Sequence, residues 1–179
     1  MLQIGDKLPD FVLLGTDGQM HNNYEWADKY ALLIVFTCNS CTYSQAYGKR
    51  LIRLLNQYNE DNLGIVAINS NDPNQSPGDS FAEMQKIAEK LGLAEINFHY
   101  LYDEKQEVAK TFGARFTPEA FLFNSKRELV YKGAIDDAPE NMHMVTMAYL
   151  EDAIEYCLDG IDVDYPETEV SGCPIVWKK

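Results

Sequence analysis

Ala31-Leu32-Leu33-Ile34-Val35-Phe36 runs directly into Thr37-Cys38-Asn39-Ser40-Cys41, and this stretch decides the fold. The first six residues are apolar without alternation, which is typical of a strand buried on both faces in a parallel sheet. From Thr42 to Tyr58 the apolar side chains recur with helical spacing. The two cysteines are therefore predicted at a strand-to-helix junction, with Cys38 at the start of the helix.

A pair of cysteines two residues apart at such a junction is typical of thiol–disulfide redox chemistry. A helix N-terminus favours the nucleophilic thiolate through its free N–H donors and the positive end of the macrodipole. We therefore expect Cys38 to be the nucleophile, with a pKa below that of a free thiol, and Cys41 to resolve the product. A zinc site is the alternative, but it needs about four ligands. His21, His99 and His143 are scattered along the sequence, so a metal site is not expected, and thiol–disulfide exchange needs no cofactor.

The composition sets further limits. The chain has 179 residues, of which 46% are apolar and 24% charged, as in a soluble globular domain. Its net charge of −13 argues against nucleic acid or an anionic membrane as a partner. No apolar run approaches the roughly 18 residues of a membrane span, and no signal peptide is visible. Four cysteines are too few for a disulfide-stapled small fold, so we expect a cytoplasmic location, with a presequence removed before Met1 left open.

Strands and helices alternate along the rest of the chain, which predicts an α/β domain with a mixed central sheet flanked by helices. This domain should span 1–160, and an irregular C-terminal tail over 161–179 should pack its apolar end back onto it. The further predicted elements are an N-terminal β-hairpin turning at Asp17-Gly18; a helical turn within 22–29; an end of the first helix at Asn59 to Asn62 and Gly64; a strand at 65–68; a loop over 69–79; a helix capped by Ser80 and ended by Gly92; a strand at 99–102; a helix capped by Asp103 with Gln106 and ended by Gly113; a hairpin of 120–123 and 129–132; and a last helix from Pro139 to Leu158.

Several short motifs occur together in this chain. They are Gly5-Asp6-x-x-Pro9-Asp10-Phe11, Cys38-Asn39-Ser40-Cys41-Thr42-Tyr43, Ile68-Asn69-Ser70-Asn71-Asp72, Tyr102-Asp103-Glu104-x-x-Glu107-Val108-Ala109, Thr117-Pro118-Glu119 and Gly172-Cys173. On these motifs the chain resembles the thioredoxin-like superfamily, and within it the redoxin branch of AhpC/TSA and peroxiredoxin-like proteins. The resemblance runs nearly the whole length and is to bacterial proteins of poorly defined activity.

The resemblance implies a thioredoxin fold with an N-terminal β-hairpin extension. It also implies that Thr117 and Pro118 form a cis-proline loop facing the cysteines, where an extended substrate could pair beside Cys38. Asn39 and Ser40 would help Thr117 and Pro118 to position that substrate. The implied substrate is a disulfide or a hydroperoxide, and the implied reductant is a dithiol protein or a low-molecular-weight thiol.

The chain departs from the family pattern at five positions. Family members often carry His and Pro where this chain has Ser40 and Thr42, and a Cys where it has Phe116. Leu32 stands in place of the buried Asp of thioredoxins, and Val35 in place of the Thr of typical peroxiredoxins. Without a His between the cysteines, we expect a less oxidising pair. The departures at Leu32 and Val35 argue against assigning either thioredoxin or peroxiredoxin activity to this chain without modification.

Three residues outside the motif could join it. Cys173 would be a distal resolving thiol if the tail folds over Cys38, although a free or simply packed cysteine is the favoured expectation. Cys157 is predicted to lie in the core. Arg115 could lie near the cysteines and favour the thiolate, although a solvated position on the surface is the favoured expectation. The sequence thus predicts a thiol–disulfide oxidoreductase or peroxiredoxin-like antioxidant enzyme. The alternative is a binding module or metal chaperone that uses the same fold without turnover.

Overall fold

The computed structural model describes residues 1–58 and 63–179, and its centre is a seven-stranded mixed sheet. The strand order is β2-β1-β5-β4-β3-β7-β8. Strands β3, β4 and β5 are mutually parallel, whereas β1 and β7 each join this set in the antiparallel sense. The strands of this sheet are β1 Val12–Gly15, β2 Met20–Asn22, β3 Ala31–Phe36, β4 Leu63–Asn69, β5 His99–Tyr102, β7 Glu119–Phe123 and β8 Leu129–Gly133; a separate pair is formed by β6 Phe116–Thr117 and β9 Cys173–Pro174.

Within residues 1–58 and 63–179, four helices cover both faces of this sheet. They are α1 Thr42–Tyr58, α2 Phe81–Leu91, α3 Glu107–Phe112 and α4 Tyr149–Asp159. Helices α1, α2 and α4 pack on one face, and α3 packs on the other together with the N-terminal segment. All six residues of β3 are buried, which confirms the strand predicted from the apolar run. The predicted end of α1 at Asn59 to Asn62 lies outside the described residues.

The N-terminal hairpin is confirmed, and it has a consequence that the sequence did not indicate. Strand β1 pairs with β2 across the Asp17-Gly18 turn and with β5 on its other side. This pairing brings His21 of β2 against His99 of β5, with their ring centroids 4.7 Å apart. Two of the histidines that are scattered in the sequence are therefore neighbours in the fold.

The predicted last helix is wrong over its first half. Instead of beginning at Pro139, helix α4 begins at Tyr149, and only a short 3-10 helix, Met142–Met144, precedes it. Buried Arg50 explains the difference, because its guanidinium donates to the carbonyl oxygens of Ala138 (3.0 Å) and Pro139 (3.2 Å). A side chain of α1 thus holds both carbonyls, and the Ala138 carbonyl also accepts the N–H of Asn141, three residues on, at 3.3 Å.

The start of α3 also differs from the prediction. Asp103 does accept hydrogen bonds from the N–H groups of Val108 (3.3 Å) and Ala109 (2.9 Å). Gln106, however, is the N-cap residue in a left-handed conformation with φ 61°, and its side chain makes no capping hydrogen bond. Its Nε2 instead donates to the carbonyl oxygen of Val176 at 2.8 Å, so this side chain anchors the tail.

The tail returns to the body of the protein, as predicted. Strand β9 pairs antiparallel with β6, so that Cys173 lies opposite Thr117. Ile175 is only 3% exposed and belongs to the apolar core that contains α3. Within the described parts of the chain, none of the helices has both the length and the apolar character needed to cross a bilayer.

Candidate functional site

The two motif cysteines lie in the loop that joins β3 to α1. Strand β3 ends at Phe36, and α1 begins at Thr42. Cys41 therefore directly precedes the helix, whereas Cys38 lies four residues before its first residue. Both side chains are buried, Cys38 at 5% and Cys41 at 3% exposure. The expectation that Cys38 opens the helix is wrong.

Cys41 is bonded to the tail. It forms a disulfide with Cys173 across 132 positions of sequence, with the Cα atoms 5.9 Å apart. Cys38 and Cys157 are free thiols. The favoured expectation that Cys173 is free or merely packed is therefore wrong, and so is the pairing considered for a distal resolving thiol, since Cys173 is joined to Cys41 and not to Cys38.

The tail reaches Cys41 by close backbone packing. Thr117 donates its hydroxyl to the carbonyl oxygen of Cys173 at 3.3 Å, and Ile175 N–H donates to the carbonyl of Arg115 at 2.9 Å. Gly172 lies so near β6 that a Cβ there would stand 2.7 Å from the carbonyl oxygen of Thr117. Only glycine fits this approach without displacing backbone.

The loop at Thr117 and Pro118 meets both motif cysteines. The peptide bond between these residues is cis, as the resemblance implied. The Thr117 hydroxyl lies 3.2 Å from Cys38 Sγ, and its carbonyl oxygen lies 3.3 Å from Cys41 Sγ. One residue of this loop therefore contacts the free thiol, the disulfide and the tail strand.

A buried carboxylate holds the cysteine loop from the other side. Asp79 is fully buried and accepts hydrogen bonds from the backbone N–H groups of Asn39 (2.6 Å) and Ser40 (3.3 Å). It also accepts bonds from the side chains of Asn69, Asn71 and Ser76. Burial, the largest single effect, raises the pKa of Asp79, but these hydrogen bonds together hold it below the ordinary value of 3.8.

Asp79 is a residue that the sequence did not assign to the site. It lies at the end of a stretch interpreted only as a loop, 69–79. A signal was present nonetheless, because the carboxyl ends of neighbouring parallel strands meet at one edge of a sheet. The polar residues at and just after the end of β4, such as Asn69 and Asn71, could have been placed beside the loop that follows β3.

Asn39 and Ser40 contact the loop around Asp79. The Asn39 amide donates to the carbonyl of Gly78 at 2.9 Å and accepts from the Tyr100 hydroxyl at 2.9 Å. Exposed Ser40 accepts a hydrogen bond from Ser76 at 3.2 Å. The Asn39 side chain is thus engaged in holding the loop, and the exposed Ser40 is the better placed of the two to meet a substrate.

The environment of Cys38 favours the neutral thiol. Burial raises the pKa of Cys38 most strongly, and the negative charge of Asp79 raises it further. Hydrogen bonds from Thr117, the Cys41 backbone and Ser44 act in the opposite direction but do not compensate. The expectation of a lowered pKa is therefore wrong for this state, because Cys38 is desolvated, faces a carboxylate and precedes the first turn of α1.

Known proteins resemble this chain in sequence and in structure. The model of the AhpC/TSA family matches residues 4–132. A hypothetical protein from Sinorhizobium meliloti 1021 is 35% identical with a TM-score of 0.90, covering 99% of this chain and 96% of that one. An uncharacterised conserved protein from Geobacillus kaustophilus is 38% identical with a TM-score of 0.90, covering 99% and 94%.

More distant similarity extends to proteins with named redox roles. Peroxidoxin BcpB from Mycobacterium tuberculosis has a TM-score of 0.61 at 15% identity, covering 89% of this chain and 96% of that one, which shows a shared fold. A comparison with curated proteins finds no match. The predicted thioredoxin fold is confirmed, and because the family model matches well over half of the sequence, this chain belongs to the AhpC/TSA family of the thioredoxin-like superfamily.

Proposed function

We propose that this chain is a thiol–disulfide oxidoreductase in which Cys38, Cys41 and Cys173 form one relay. The observation that carries the proposal is the position of the Cys173 strand, which pairs with Thr117 and is bonded covalently to Cys41. The free thiol of Cys38 lies 3.2 Å from the same threonine hydroxyl. Membership of the AhpC/TSA family supports the general class of reaction.

The tail strand occupies the edge at which an extended substrate would pair. An extended peptide can add to an exposed strand edge through backbone hydrogen bonds, and β9 does this to β6. The tail thus stands in for an extended peptide at this edge, with its cysteine beside the Cys38–Cys41 motif. This likeness favours a disulfide in an extended protein segment as the substrate.

The cycle starts from three reduced thiols. The Cys38 thiolate attacks a substrate disulfide, forming a mixed disulfide and releasing one substrate thiolate. The Cys41 thiolate then displaces the second substrate thiolate and leaves a Cys38–Cys41 disulfide. The Cys173 thiolate attacks Cys41 and releases Cys38, which takes up a proton. One substrate disulfide has become two thiols, and a dithiol protein or a low-molecular-weight thiol then reduces Cys41–Cys173.

A hydroperoxide could start the same relay. The Cys38 thiolate would take its terminal oxygen, releasing an alcohol or water, and Cys41 would condense with the resulting sulfenic acid and release water. Val35, which stands in place of the Thr of typical peroxiredoxins, is fully buried and has no hydroxyl to orient a peroxide. This departure favours disulfide exchange over peroxide reduction.

The raised pKa of Cys38 is consistent with the oxidised state that ends the relay, in which Cys41 is bonded to Cys173. When Cys41 is bonded to Cys173, burial and the charge of Asp79 favour the neutral Cys38 thiol. A neutral thiol is a poor nucleophile, so Cys38 does not readily attack Cys41 and reverse the last step. The oxidised protein therefore keeps the Cys41–Cys173 disulfide until a reductant cleaves it.

The test is to oxidise the fully reduced protein and map its disulfides by mass spectrometry after rapid alkylation. Oxidised dithiol protein and hydrogen peroxide are used as separate oxidants. The wild type should end in Cys41–Cys173, whereas Cys173→Ser should stop at Cys38–Cys41. Cys157→Ala is the matched control, because Cys157 is a free thiol on α4, outside the relay.

Turnover separates the proposal from its alternatives. Cys38→Ser should abolish reduction of both oxidants, and wild-type turnover in this variant would overturn the proposal. If Cys173→Ser turns over as fast as the wild type, the tail is not part of the relay. A faster reaction with peroxide than with the dithiol protein would reverse the substrate preference. A protein that binds metal at the cysteines and turns over neither oxidant would be the binding module.

Two wider predictions accompany this function. In the cytoplasm of a bacterium, the expected location, glutathione or thioredoxin would keep Cys41–Cys173 transient. We also propose the division into a domain over 1–160 and a tail over 161–179, with the tail as the part that changes between reduced and oxidised states.

A further inference from the structure

A second polar cluster lies away from the cysteines, at the edge where the N-terminal hairpin joins the sheet. His21 of β2, His99 of β5 and Asp17 of the hairpin turn each offer one potential ligand atom, and these atoms lie within 4.8 Å of one another. Two imidazole nitrogens and one carboxylate form the donor set of many three-ligand zinc sites. We propose that this cluster binds one Zn²⁺ ion.

His21 is oriented as a metal-binding histidine would be. Its Nδ1 lies 2.7 Å from the Glu25 carboxylate, and its Nε2 lies 2.9 Å from Asp17. Glu25 is itself fixed, because its carboxylate accepts the N–H of Asn22 at 2.9 Å in a capping box. A carboxylate on the second ring nitrogen is the usual support of a zinc-binding histidine, since it sets the tautomer and the ring orientation.

The backbone leaves room for this arrangement. A Cβ on Gly15 would lie 2.5 Å from the Asp17 carboxylate and 2.7 Å from the His21 ring. Glycine at this position of β1 therefore allows the imidazole and the carboxylate to approach each other. On the other side, Trp26 packs edge-on against His99, with centroids 5.1 Å apart, and limits the movement of that ring.

The cluster opens onto a cleft that could hold the remaining ligand. The cleft has a volume of about 440 Å³ and is lined by Asp17, His21 and His99 together with residues of α2 such as Gln85. Three protein ligands leave at least one position of a tetrahedral zinc ion free for water or a small anion. The cleft supplies the space for it.

Only a modest adjustment would complete the site. Zinc bonds of about 2.0–2.2 Å place tetrahedral ligand atoms roughly 3.4 Å apart, so no separation between the three atoms needs to change by more than about 1.4 Å. The Asp17 side chain, 38% exposed, can rotate to allow this. Binding would replace the His21–Asp17 hydrogen bond and release the proton on His21 Nε2 to solvent. Mg²⁺ and Ca²⁺ prefer all-oxygen sites and fit this donor set poorly.

The experiment titrates chelator-treated, oxidised protein with ZnCl₂ in a calorimeter and with CoCl₂ in a spectrophotometer. We expect one Zn²⁺ per chain, visible cobalt d–d bands and no thiolate-to-cobalt charge-transfer band. His99→Ala and Asp17→Asn should each weaken zinc binding by more than about tenfold. His143→Ala should leave it unchanged, because this exposed histidine of the 3-10 helix lies outside the cluster.

The negative outcomes are equally definite. No zinc binding by the wild type would overturn the proposal, and would leave His21 as a histidine bridged by two carboxylates. A thiolate band would place the metal at Cys38 or Cys157 and would also overturn it. An equal loss of zinc affinity in His143→Ala and His99→Ala would also overturn the proposal. Circular dichroism of each variant separates a lost ligand from a lost fold.

Discussion

Thr117 is the single residue that the chemistry of Cys38 depends on most directly. Its hydroxyl is 3.2 Å from Cys38 Sγ, and its backbone carries the pairing with Cys173. Among the hydrogen bonds that lower the pKa of Cys38, the one from Thr117 is the largest. The strand pairing does not need the hydroxyl, so a side-chain substitution removes the contact with Cys38 and the hydroxyl bond to the Cys173 carbonyl but leaves the pairing of β6 with β9.

Thr117→Val should make Cys38 less reactive without detaching the tail. Valine keeps the shape of threonine but cannot hydrogen-bond the thiolate, so the pKa of Cys38 should rise further. Since such a bond is worth about 1 kcal/mol, alkylation of Cys38 near neutral pH should slow about three- to tenfold. The measurement is the iodoacetamide rate against pH in a Cys157→Ala background. Thr111→Val on α3 is the control, and an unchanged or faster rate in Thr117→Val contradicts the prediction.

Asp79 should make the protein sensitive to acid. Its folded-state pKa lies below the ordinary value of 3.8, so its ionised form stabilises the fold above that pH. The stabilisation is lost as the pH falls through the lower folded-state value. Asp79→Asn should reduce the free energy of unfolding at pH 7 by about 1–3 kcal/mol, because it weakens several buried hydrogen bonds. The difference from the wild type should shrink in acid.

Denaturant unfolding at several pH values tests this prediction. Asp162→Asn is the matched control, because Asp162 is exposed in the tail. A difference between Asp79→Asn and the wild type that stays constant down to pH 2 would show that the charge of Asp79 is not responsible.

At the scale of elements, strand β9 holds Cys173 next to Cys41, to which it is bonded. It is only two residues long, and it depends on the close approach of Gly172 to the carbonyl of Thr117. Gln106 and Asn71 hold the next part of the tail through Val176. The tail is therefore fastened by a few contacts on each side of Cys173.

Gly172→Ala should loosen this strand. The new Cβ would meet the Thr117 carbonyl oxygen at 2.7 Å, and backbone must shift to relieve the contact. We expect faster reduction of Cys41–Cys173 by dithiothreitol and faster hydrogen exchange at the Ile175 N–H. Gly48→Ala is the control, because a Cβ on Gly48 of α1 meets nothing within 4 Å. Equal reduction rates in the two variants would show that β9 does not protect the disulfide.

At the scale of the whole molecule, the disulfide joins the tail to the centre of the fold. It closes a loop of 132 positions, and cross-links over long loops restrict the unfolded chain most. Removing it should therefore affect global stability and not only the tail.

Cys173→Ser should lower the free energy of unfolding by about 2–4 kcal/mol. Adding reductant to the wild type should produce a similar loss, whereas it should change the variant much less, because a Cys38–Cys41 bridge closes only a short loop. Guanidinium denaturation with and without reductant measures both. Cys157→Ala should still respond to reductant, and a wild type whose midpoint does not move on reduction would refute the prediction.

The order of elements could be predicted from the sequence because it depends on local patterns. The apolar run of β3, the periodicity of α1 and the Asp17-Gly18 turn each act within a few residues. The exception, the residues before α4, shows the limit of such patterns. The carbonyls of Ala138 and Pro139 are bound by Arg50, more than eighty positions away, and local propensity cannot anticipate that competition.

The sequence by itself determined the sheet, the helices and the position of two neighbouring cysteines just after β3. Only the tertiary structure decided which thiol Cys41 joins, because its partner approaches from the far end of the chain through the pairing of β9 with β6. It also decided that the pKa of Cys38 is raised, since burial and the charge of Asp79 act through space. The meeting of His21 and His99 has the same origin, because strand pairing brings together residues that the sequence keeps apart.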